Sequence, residues 1–243
     1  MPPVDKSKRM IAYKLRELNF FPFVLGIFTR RAIIMKMRKN RYSKFAVEMT
    51  IVASSIGLAY LSYLIGSGHY FSLDTGVAGF ILNNRFPAVS NVMVYLTYLG
   101  NFYVEAAVAG LAAVLFARKK HFLKAIIILT SVLGGELIVG ILKLYLQRPR
   151  PPAYYSLTHE PSYGFPSGHA FAAVSLYGLL LYLMFNKSGK TTKNYAAVGW
   201  TMLAALIGFS RIYLGVHWTT DVLGGYTIGT AWVVFLVSVA GLR

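Results

Sequence analysis

Long apolar stretches dominate this chain and restrict the folds that it can adopt. A helix that crosses the hydrocarbon core of a membrane needs roughly 20 mainly apolar residues. Six stretches meet that need: 45–66, 98–117, 122–146, 169–186, 195–213 and 220–241. Inside lipid every backbone polar group needs an internal partner, which a helix provides. The pattern predicts an all-α, integral-membrane bundle of six transmembrane helices over residues 45–243, with a short helix in the polar stretch 67–97.

Composition also places the chain in the membrane class. Of its 243 residues, 56% are hydrophobic and 14% are charged, whereas soluble domains carry about 25% charged residues. The sequence contains no cysteine, which excludes disulfides, zinc–thiolate sites and thiol nucleophiles. The chemistry of the chain must therefore depend on other side chains.

The net charge of +17 follows the topology of the predicted bundle. Cytoplasmic segments of membrane proteins retain Lys and Arg, and most of these residues fall on one side if six spans alternate. Both termini are therefore predicted to be cytoplasmic, in a cell inner membrane, with the opposite face toward the periplasm or exterior. Only five Lys and Arg remain for that face: Arg85, Lys143, Arg148, Arg150 and Arg211. This distribution argues against nucleic-acid binding.

The basic segment 1–44 is predicted to be a separate amphipathic region lying on anionic lipid headgroups. Its apolar part, Asn19–Phe28, is too short to span a membrane and contains Pro22. A secretory signal is one alternative, but Thr29-Arg30-Arg31 follows where a small-residue cleavage site is expected. A solvated basic tail is the other alternative.

The first of three polar segments is Lys143–Pro151 (KLYLQRPRP). Pro149 and Pro151 disfavour helix for the residue before each of them, so the helix is predicted to end near Gln147. Arg150 would then turn back from an extended loop toward Lys143. The alternative is a pair of snorkelling cations at a helix end.

The second segment, Pro166-Ser167-Gly168-His169, precedes the fourth predicted span. Free N–H groups in the first turn of a helix bind anions, and the Ser167 hydroxyl adds another donor. Gly168 permits close approach of a ligand to the backbone, with His169 at the rim. The alternative is an interfacial histidine that contacts water.

The third segment is Ser210–Asp221 (SRIYLGVHWTTD). If the turn is helical, the spacing of four places His217 and Asp221 on one face. A carboxylate on one imidazole nitrogen fixes the tautomer and leaves the other nitrogen as a nucleophile. The alternative is a structural His–Asp hydrogen bond. A metal site is disfavoured, because neighbouring cations such as Arg211 would repel a divalent ion.

Together, the three segments resemble the signature of the type 2 phosphatidic acid phosphatase superfamily. The matching positions are Lys143-x6-Arg150-Pro151, Pro166-Ser167-Gly168-His169 and Ser210-Arg211-x5-His217-x3-Asp221, all filled in order and with the expected spacing. The resemblance covers roughly residues 50–240 and leaves the basic segment 1–44 outside it.

This resemblance implies a role for each signature position. His217 would attack phosphorus and form a phosphohistidine, and Asp221 would orient it. His169 would protonate the leaving oxygen and later activate water. The phosphoryl oxygens would be held by Lys143, Arg150, Arg211, Ser167 and the amide of Gly168. Phosphoryl transfer depends mainly on positioning and charge stabilisation, which three cations can supply in place of magnesium, so no metal or other cofactor is expected.

The outer loop between the first two segments carries further polar side chains. Contacts with the substrate headgroup are one interpretation, and an ordinary solvated loop is the other, for Arg148, Tyr154, Tyr155, His159 and Glu160.

The sequence thus predicts a metal-independent phosphatase whose substrate enters sideways from the outer leaflet. Candidate substrates are phosphatidylglycerophosphate, phosphatidic acid and undecaprenyl diphosphate, with the lipid A 1-phosphate as an alternative. A phosphotransferase with the same intermediate is the nearest enzymatic alternative, and a lipid-phosphate transporter or binding scaffold is the non-enzymatic one. The predicted partners are the lipid substrate and the bilayer, without an obligate protein partner.

Overall fold

A computed structural model describes residues 41–66 and 72–241, and the regular structure within these ranges is helical. Two short 3₁₀ turns lie at Tyr98–Gly100 and Ala153–Tyr155. The α-helices of the described ranges are α1 (Arg41–Gly66), α2 (Ser72–Asn83), α3 (Pro87–Thr97), α4 (Phe102–Arg118), α5 (Phe122–Leu146), α6 (Gly168–Phe185), α7 (Lys190–Tyr213) and α8 (Thr219–Val239). The prediction of an all-α protein is confirmed.

Four helices of the described chain, α5 to α8, are long and apolar enough to cross a membrane. A fifth candidate is the pair formed by Pro87–Gly100 and α4, which passes the same criterion when its two parts are joined and bends by 49° between them. The described residues therefore show an integral-membrane protein with four or five candidate spans. The remaining predicted span, 45–66, lies within α1, and its crossing of the membrane stays a prediction.

The polar stretch 67–97 differs from its prediction of one short helix, because its described part forms both α2 and α3. Pro87 occupies the first turn of α3, where its missing N–H costs nothing and its fixed φ favours helix. Asn101 then separates α3 from α4 and caps the second helix, since its side chain accepts a hydrogen bond from Tyr103 N at 3.0 Å.

The predicted interfacial segment 1–44 lies outside the described residues except for positions 41–44, which begin α1. Its amphipathic character and the domain boundary at residue 45 stay predictions.

Helix α6 lies at the centre of the bundle, packed against α5, α7 and α8. Its apolar side chains Leu176, Leu179 and Leu183 form a buried cluster with Ile128 of α5. A helix that is apolar on every side is expected at such a central position. Close packing on three sides therefore fixes the position of the first turn of α6, which contains Gly168 and His169.

Small residues let α8 approach α6 closely. A Cβ atom at Gly225 would lie 2.5 Å from the carbonyl oxygen of Ser167, and one at Gly229 would lie 2.9 Å from that of Phe171. Small residues commonly permit such approach between membrane helices. This packing holds the start of α8 beside the start of α6.

The loop 147–167 folds back over the ends of α7 and α8. The amide of Leu157 donates to the Leu214 carbonyl at 2.9 Å, and the amide of Ser167 donates to the Asp221 carbonyl at 3.0 Å. Arg85, between α2 and α3, donates to the carbonyls of Tyr155 at 2.5 Å and of Tyr213 at 2.7 Å. The loop is thus fixed to the bundle at several points.

Candidate active site

The three polar segments meet at one end of the bundle. Lys143 lies near the last turn of α5 and Arg211 near the last turn of α7, whereas His169 and Asp221 lie in the first turns of α6 and α8. The loop 147–167 completes the group. Residues separated by up to 78 positions are therefore brought to one site, as the sequence predicts.

His217 and Asp221 are in contact, although not through a shared helical face. His217 lies before the start of α8, and its Nδ1 is 3.4 Å from Asp221 Oδ2. The same oxygen accepts the backbone N–H of Trp218 at 2.9 Å. The carboxylate therefore reaches His217 because it folds back over the start of α8.

The other ring nitrogen of His217 faces a cation. Its Nε2 is 3.2 Å from Nη1 of Arg150. With the Nδ1 proton directed at Asp221, Nε2 carries the lone pair and can accept from Arg150. This is the tautomer that a nucleophilic histidine requires.

Neutral groups hold Arg150 in this position. Its Nε donates to the Ser162 carbonyl at 2.6 Å, its Nη1 to the Val216 carbonyl at 2.6 Å and its Nη2 to the Ser162 hydroxyl at 3.0 Å. Lys143 shares this support, because its Nζ donates to the Ser162 hydroxyl and to the Tyr163 carbonyl, both at 3.0 Å. Arg150 therefore lies beside Lys143, as the sequence predicts, and both side chains donate to the Ser162 hydroxyl.

Arg211 completes the cationic side of the site. Its guanidinium is buried, donates to Thr97 Oγ1 at 2.6 Å and forms a close ion pair with Glu160. The second Glu160 oxygen lies 4.0 Å from Arg150 Nη2. A loop carboxylate thus occupies part of the cationic pocket, which we define as the space bounded by Lys143, Arg150 and Arg211.

The start of α6 supplies the remaining predicted groups. Ser167 is buried and caps the helix, because its hydroxyl accepts from the Ala170 amide at 3.4 Å. The amides of Gly168 and His169 belong to the first turn, where backbone N–H groups have no acceptor within their own helix. His169 lies in the same turn, with its side chain packed against Gly100.

Burial lowers the pKa of His217 well below its ordinary value of 6.5, and the nearby cations Arg150, Arg211 and Lys143 lower it further. Removing an imidazole from water disfavours its charged form, and neighbouring positive charge has the same effect. His217 is therefore neutral at neutral pH, as a nucleophile at Nε2 must be.

The structure corrects the interpretation of Arg148 as a headgroup contact. Its guanidinium is only 3% exposed and forms ion pairs with Asp221 and with Asp74 of α2. It also donates to Thr220 Oγ1 at 2.7 Å. These carboxylates already occupy its donors, so Arg148 does not face a headgroup.

Tyr154 and Tyr155 form a 3₁₀ turn in the loop. Tyr154 is exposed at 68%, and its ring packs on that of Tyr155 with 4.4 Å between centroids. Tyr155 also contacts Trp218 edge-on. A headgroup role for these two rings stays a prediction.

Sequence reasoning missed several partners of the site residues. Arg148 donates to Asp74, Arg211 donates to Thr97, and Arg150 donates to Ser162. One signal for Asp74 was available, because the chain has only eight acidic residues and this is the only one between Glu48 and Glu105. Thr97 and Ser162 carry no comparable signal.

Taken together, the site holds a neutral imidazole between a buried carboxylate and a cationic pocket. Such a pocket can bind a phosphoryl group, and its fixed charges can stabilise the charge that develops in the transition state. The imidazole of His217 lies at the edge of this pocket, with Nε2 directed at Arg150.

Comparison with known proteins agrees with this chemistry. Residues 124–243 match the family model described as the PAP2 superfamily. The chain is 33% identical over 164 residues to phosphatidylglycerophosphatase B of Bacillus subtilis, covering 65% of this chain and 78% of the relative. It is 28% identical over 179 residues to an undecaprenyl-diphosphatase of Sulfolobus acidocaldarius, covering 71% of this chain and 81% of that one.

The fold is also similar to a solved structure. The crystal structure of a transmembrane PAP2-type phosphatidylglycerolphosphate phosphatase from Bacillus subtilis aligns with a TM-score of 0.67 and 26% identity, covering 74% of this chain and 92% of the other. Because both sequence and fold agree over most of the matched proteins, the chain belongs to the PAP2 superfamily and is an enzyme of its membrane lipid phosphate phosphatases.

Proposed function

We propose that this protein hydrolyses the phosphate or diphosphate of a membrane lipid through a phosphohistidine on His217, without a metal ion. The observation that carries the proposal is the environment of His217. Its Nδ1 faces Asp221 at 3.4 Å and its Nε2 faces Arg150 at 3.2 Å, which directs the nucleophilic lone pair at the pocket that would hold the phosphoryl group.

The reaction has two steps. In the first, His217 Nε2 forms a bond to phosphorus while the bond between phosphorus and the lipid oxygen breaks, and His169 gives that oxygen a proton. In the second, His169 takes a proton from water, whose oxygen bonds to phosphorus as the phosphorus–nitrogen bond breaks. The products are inorganic phosphate and the dephosphorylated lipid. A lipid diphosphate instead gives inorganic phosphate and the lipid monophosphate.

Lys143, Arg150 and Arg211 hold the phosphoryl oxygens, together with Ser167 and the Gly168 amide. For the phosphoryl group to enter, the Glu160 carboxylate must leave Arg211, since both anions would occupy the same positive region. Exchange of one anion for another keeps the buried guanidinium paired throughout, which avoids the large cost of an uncompensated buried charge.

The proposed substrates are phosphatidylglycerophosphate and undecaprenyl diphosphate, after the two relatives of those activities. Phosphatidic acid fits the same pocket. The lipid A 1-phosphate remains the alternative, because the phosphate-holding residues do not recognise the lipid tail.

The proposed topology has six spans, with α1 as the first and the bent α3–α4 pair as the second. Both termini are then cytoplasmic and the site faces the periplasm or exterior. The positions of the basic turns support this orientation. Lys124, at the start of α5, donates to the Leu183 carbonyl near the end of α6, at the opposite end of the bundle from the site.

Phosphate release from a panel of purified lipid phosphates, in detergent with a chelator present, tests the proposal. We expect the wild-type protein to turn over at least one lipid, and His217→Ala and His169→Ala to turn over none. We also expect labelled phosphate to become attached to the wild-type protein in a form that is stable to alkali and lost in acid. Loss of activity on chelation, or full activity in His217→Ala, would refute the mechanism. Appearance of labelled phosphate on a second lipid would identify a phosphotransferase instead.

A further inference from the structure

Asp74 of α2 lies in a buried network behind His217, on the side away from the cationic pocket. Its carboxylate is 1% exposed and accepts three hydrogen bonds on its two oxygens. Oδ2 accepts from Arg148 Nη2 and from the Thr220 hydroxyl, both at 2.7 Å, and Oδ1 accepts from the Thr220 amide at 2.9 Å. Asp74 therefore holds both Arg148 and the first turn of α8.

Arg148 transmits this contact to the carboxylate beside His217. The opposite side of its guanidinium pairs with Asp221 Oδ1, while Asp221 Oδ2 faces His217 Nδ1 at 3.4 Å. Asp221 is fully buried, so its orientation is set by these partners and by the Trp218 amide. The contacts form a continuous chain from Asp74 through Arg148 and Asp221 to His217.

The formal charges along this chain give Asp74 a second effect. Arg148 alone would neutralise Asp221, and a neutral pair would stabilise a positive imidazole less well. Asp74 adds a negative charge on the far side of Arg148, so the three groups together keep a formal charge of −1. Attack through Nε2 with Nδ1 still protonated leaves a positive charge on the ring of His217, and buried charges interact strongly.

We propose that Asp74 is a positioning residue for the phosphoryl-transfer step: it orients Asp221 through Arg148 and offsets the Arg148 charge. This inference rests on the proposed function, in which His217 is the nucleophile. Asp74 precedes the residues 124–243 that match the family model, so α2 contributes to the catalytic geometry from outside that range.

Asp74→Asn tests the inference because it removes the charge and keeps the shape. We expect kcat on phosphatidylglycerophosphate vesicles to fall about ten- to a hundredfold per folded protein, the scale of effect known for groups that orient an active-site side chain without touching the substrate. KM should stay within about twofold, since Asp74 lies away from the phosphoryl pocket. The rate of phosphohistidine formation in a single turnover should fall with kcat. The exposed Glu48→Gln variant is the control for charge removal and should keep both constants.

A double variant separates the charge of Asp74 from its packing. Asp74→Asn with Arg148→Gln removes one charge of each sign and restores the formal −1 at Asp221. We expect its kcat to exceed that of Asp74→Asn about tenfold per folded protein. Equal or lower kcat in the double variant would overturn the charge offset, and wild-type kcat in Asp74→Asn would overturn the whole inference.

Two further variants distinguish loss of folding from loss of catalysis. If Asp74→Asn does not fold, Asp74→Glu retains the charge but displaces the carboxylate, and it should lower kcat with KM unchanged; wild-type kcat there would refute the positioning role. A fully active His217→Ala would refute the proposed function itself. An inactive His217→Ala beside wild-type kcat in Asp74→Asn refutes only the inference about Asp74.

Discussion

Arg148 and Arg150 lie two positions apart in one loop, yet the structure places them in opposite electrostatic surroundings. Arg148 is paired with the buried carboxylates of Asp74 and Asp221. Arg150 is held mainly by backbone carbonyls and a hydroxyl, with its nearest carboxylate oxygen 4.0 Å away. A guanidinium held by neutral acceptors keeps its charge available to an incoming anion, whereas a guanidinium bound by two carboxylates is already compensated.

The largest expected effect is the loss of activity on removing the available charge. Arg150→Gln should lower kcat/KM about 10²- to 10³-fold, as removal of a transition-state donor does, with a smaller loss of unfolding free energy than in Arg148→Gln. The test is phosphate release together with denaturant unfolding in detergent, with the exposed Arg118→Gln as control. Activity within about twofold of wild type would remove the contrast between the two arginines.

Removal of the compensated charge should act on stability as well as on the orientation of Asp221. Arg148→Gln leaves two buried carboxylates without their shared cation, which we expect to cost about 3–5 kcal/mol of unfolding free energy. The same denaturant experiment measures it. A variant as stable as wild type would show that Arg148 is not the structural member of the pair.

A smaller effect is expected from the carboxylate that lies in the cationic pocket. Glu160→Gln removes the anion that competes with phosphate for Arg211, so inorganic phosphate should inhibit with a Ki lowered about tenfold, or about 1.4 kcal/mol. Competition assays on wild type and variant give this ratio, with Glu48→Gln as the charge-matched control. An unchanged or higher Ki would indicate that Glu160 supports the pocket and does not compete for it.

The smallest expected effect is on pH dependence. Burial and the three cations lower the pKa of His217, so the acid limb that it causes in kcat/KM should lie below pH 6.5, the ordinary value. Removing one cation in Arg150→Gln raises this pKa, and the limb should move to higher pH. Profiles of kcat/KM report the groups of the free enzyme; a limb that stays in place in this variant would mean that Arg150 does not act on His217.

Local patterns in the sequence were sufficient for much of the site. The apolar stretches of α5 to α8 predict the positions of these helices within a few residues, because a span must be long and apolar wherever it lies. Pro149 and Pro151 likewise predict the end of α5 near Gln147, where the structure has Leu146 as the last helical residue. These features depend on neighbours in the chain.

Features that depend on distant partners could not be predicted in the same way. Arg148 looks like Arg150 in sequence, and only the arrival of Asp74 from α2 makes it a buried ion-pair member. The contact of His217 with Asp221 is predicted correctly by spacing, but its cause is the fold of the carboxylate over the start of α8 and not a shared helical face. Glu160 is likewise placed in the pocket by the path of the loop.

The clamp made by Arg85 limits how this enzyme can be re-engineered. Because Arg85 ties the Tyr155 carbonyl of the outer loop to the Tyr213 carbonyl at the end of α7, the loop is shaped by a residue that lies far upstream in the chain. A graft of loop 147–167 from another lipid phosphatase would arrive without the anchor matched to it. A transfer of this loop between such proteins should therefore include the α2–α3 connection.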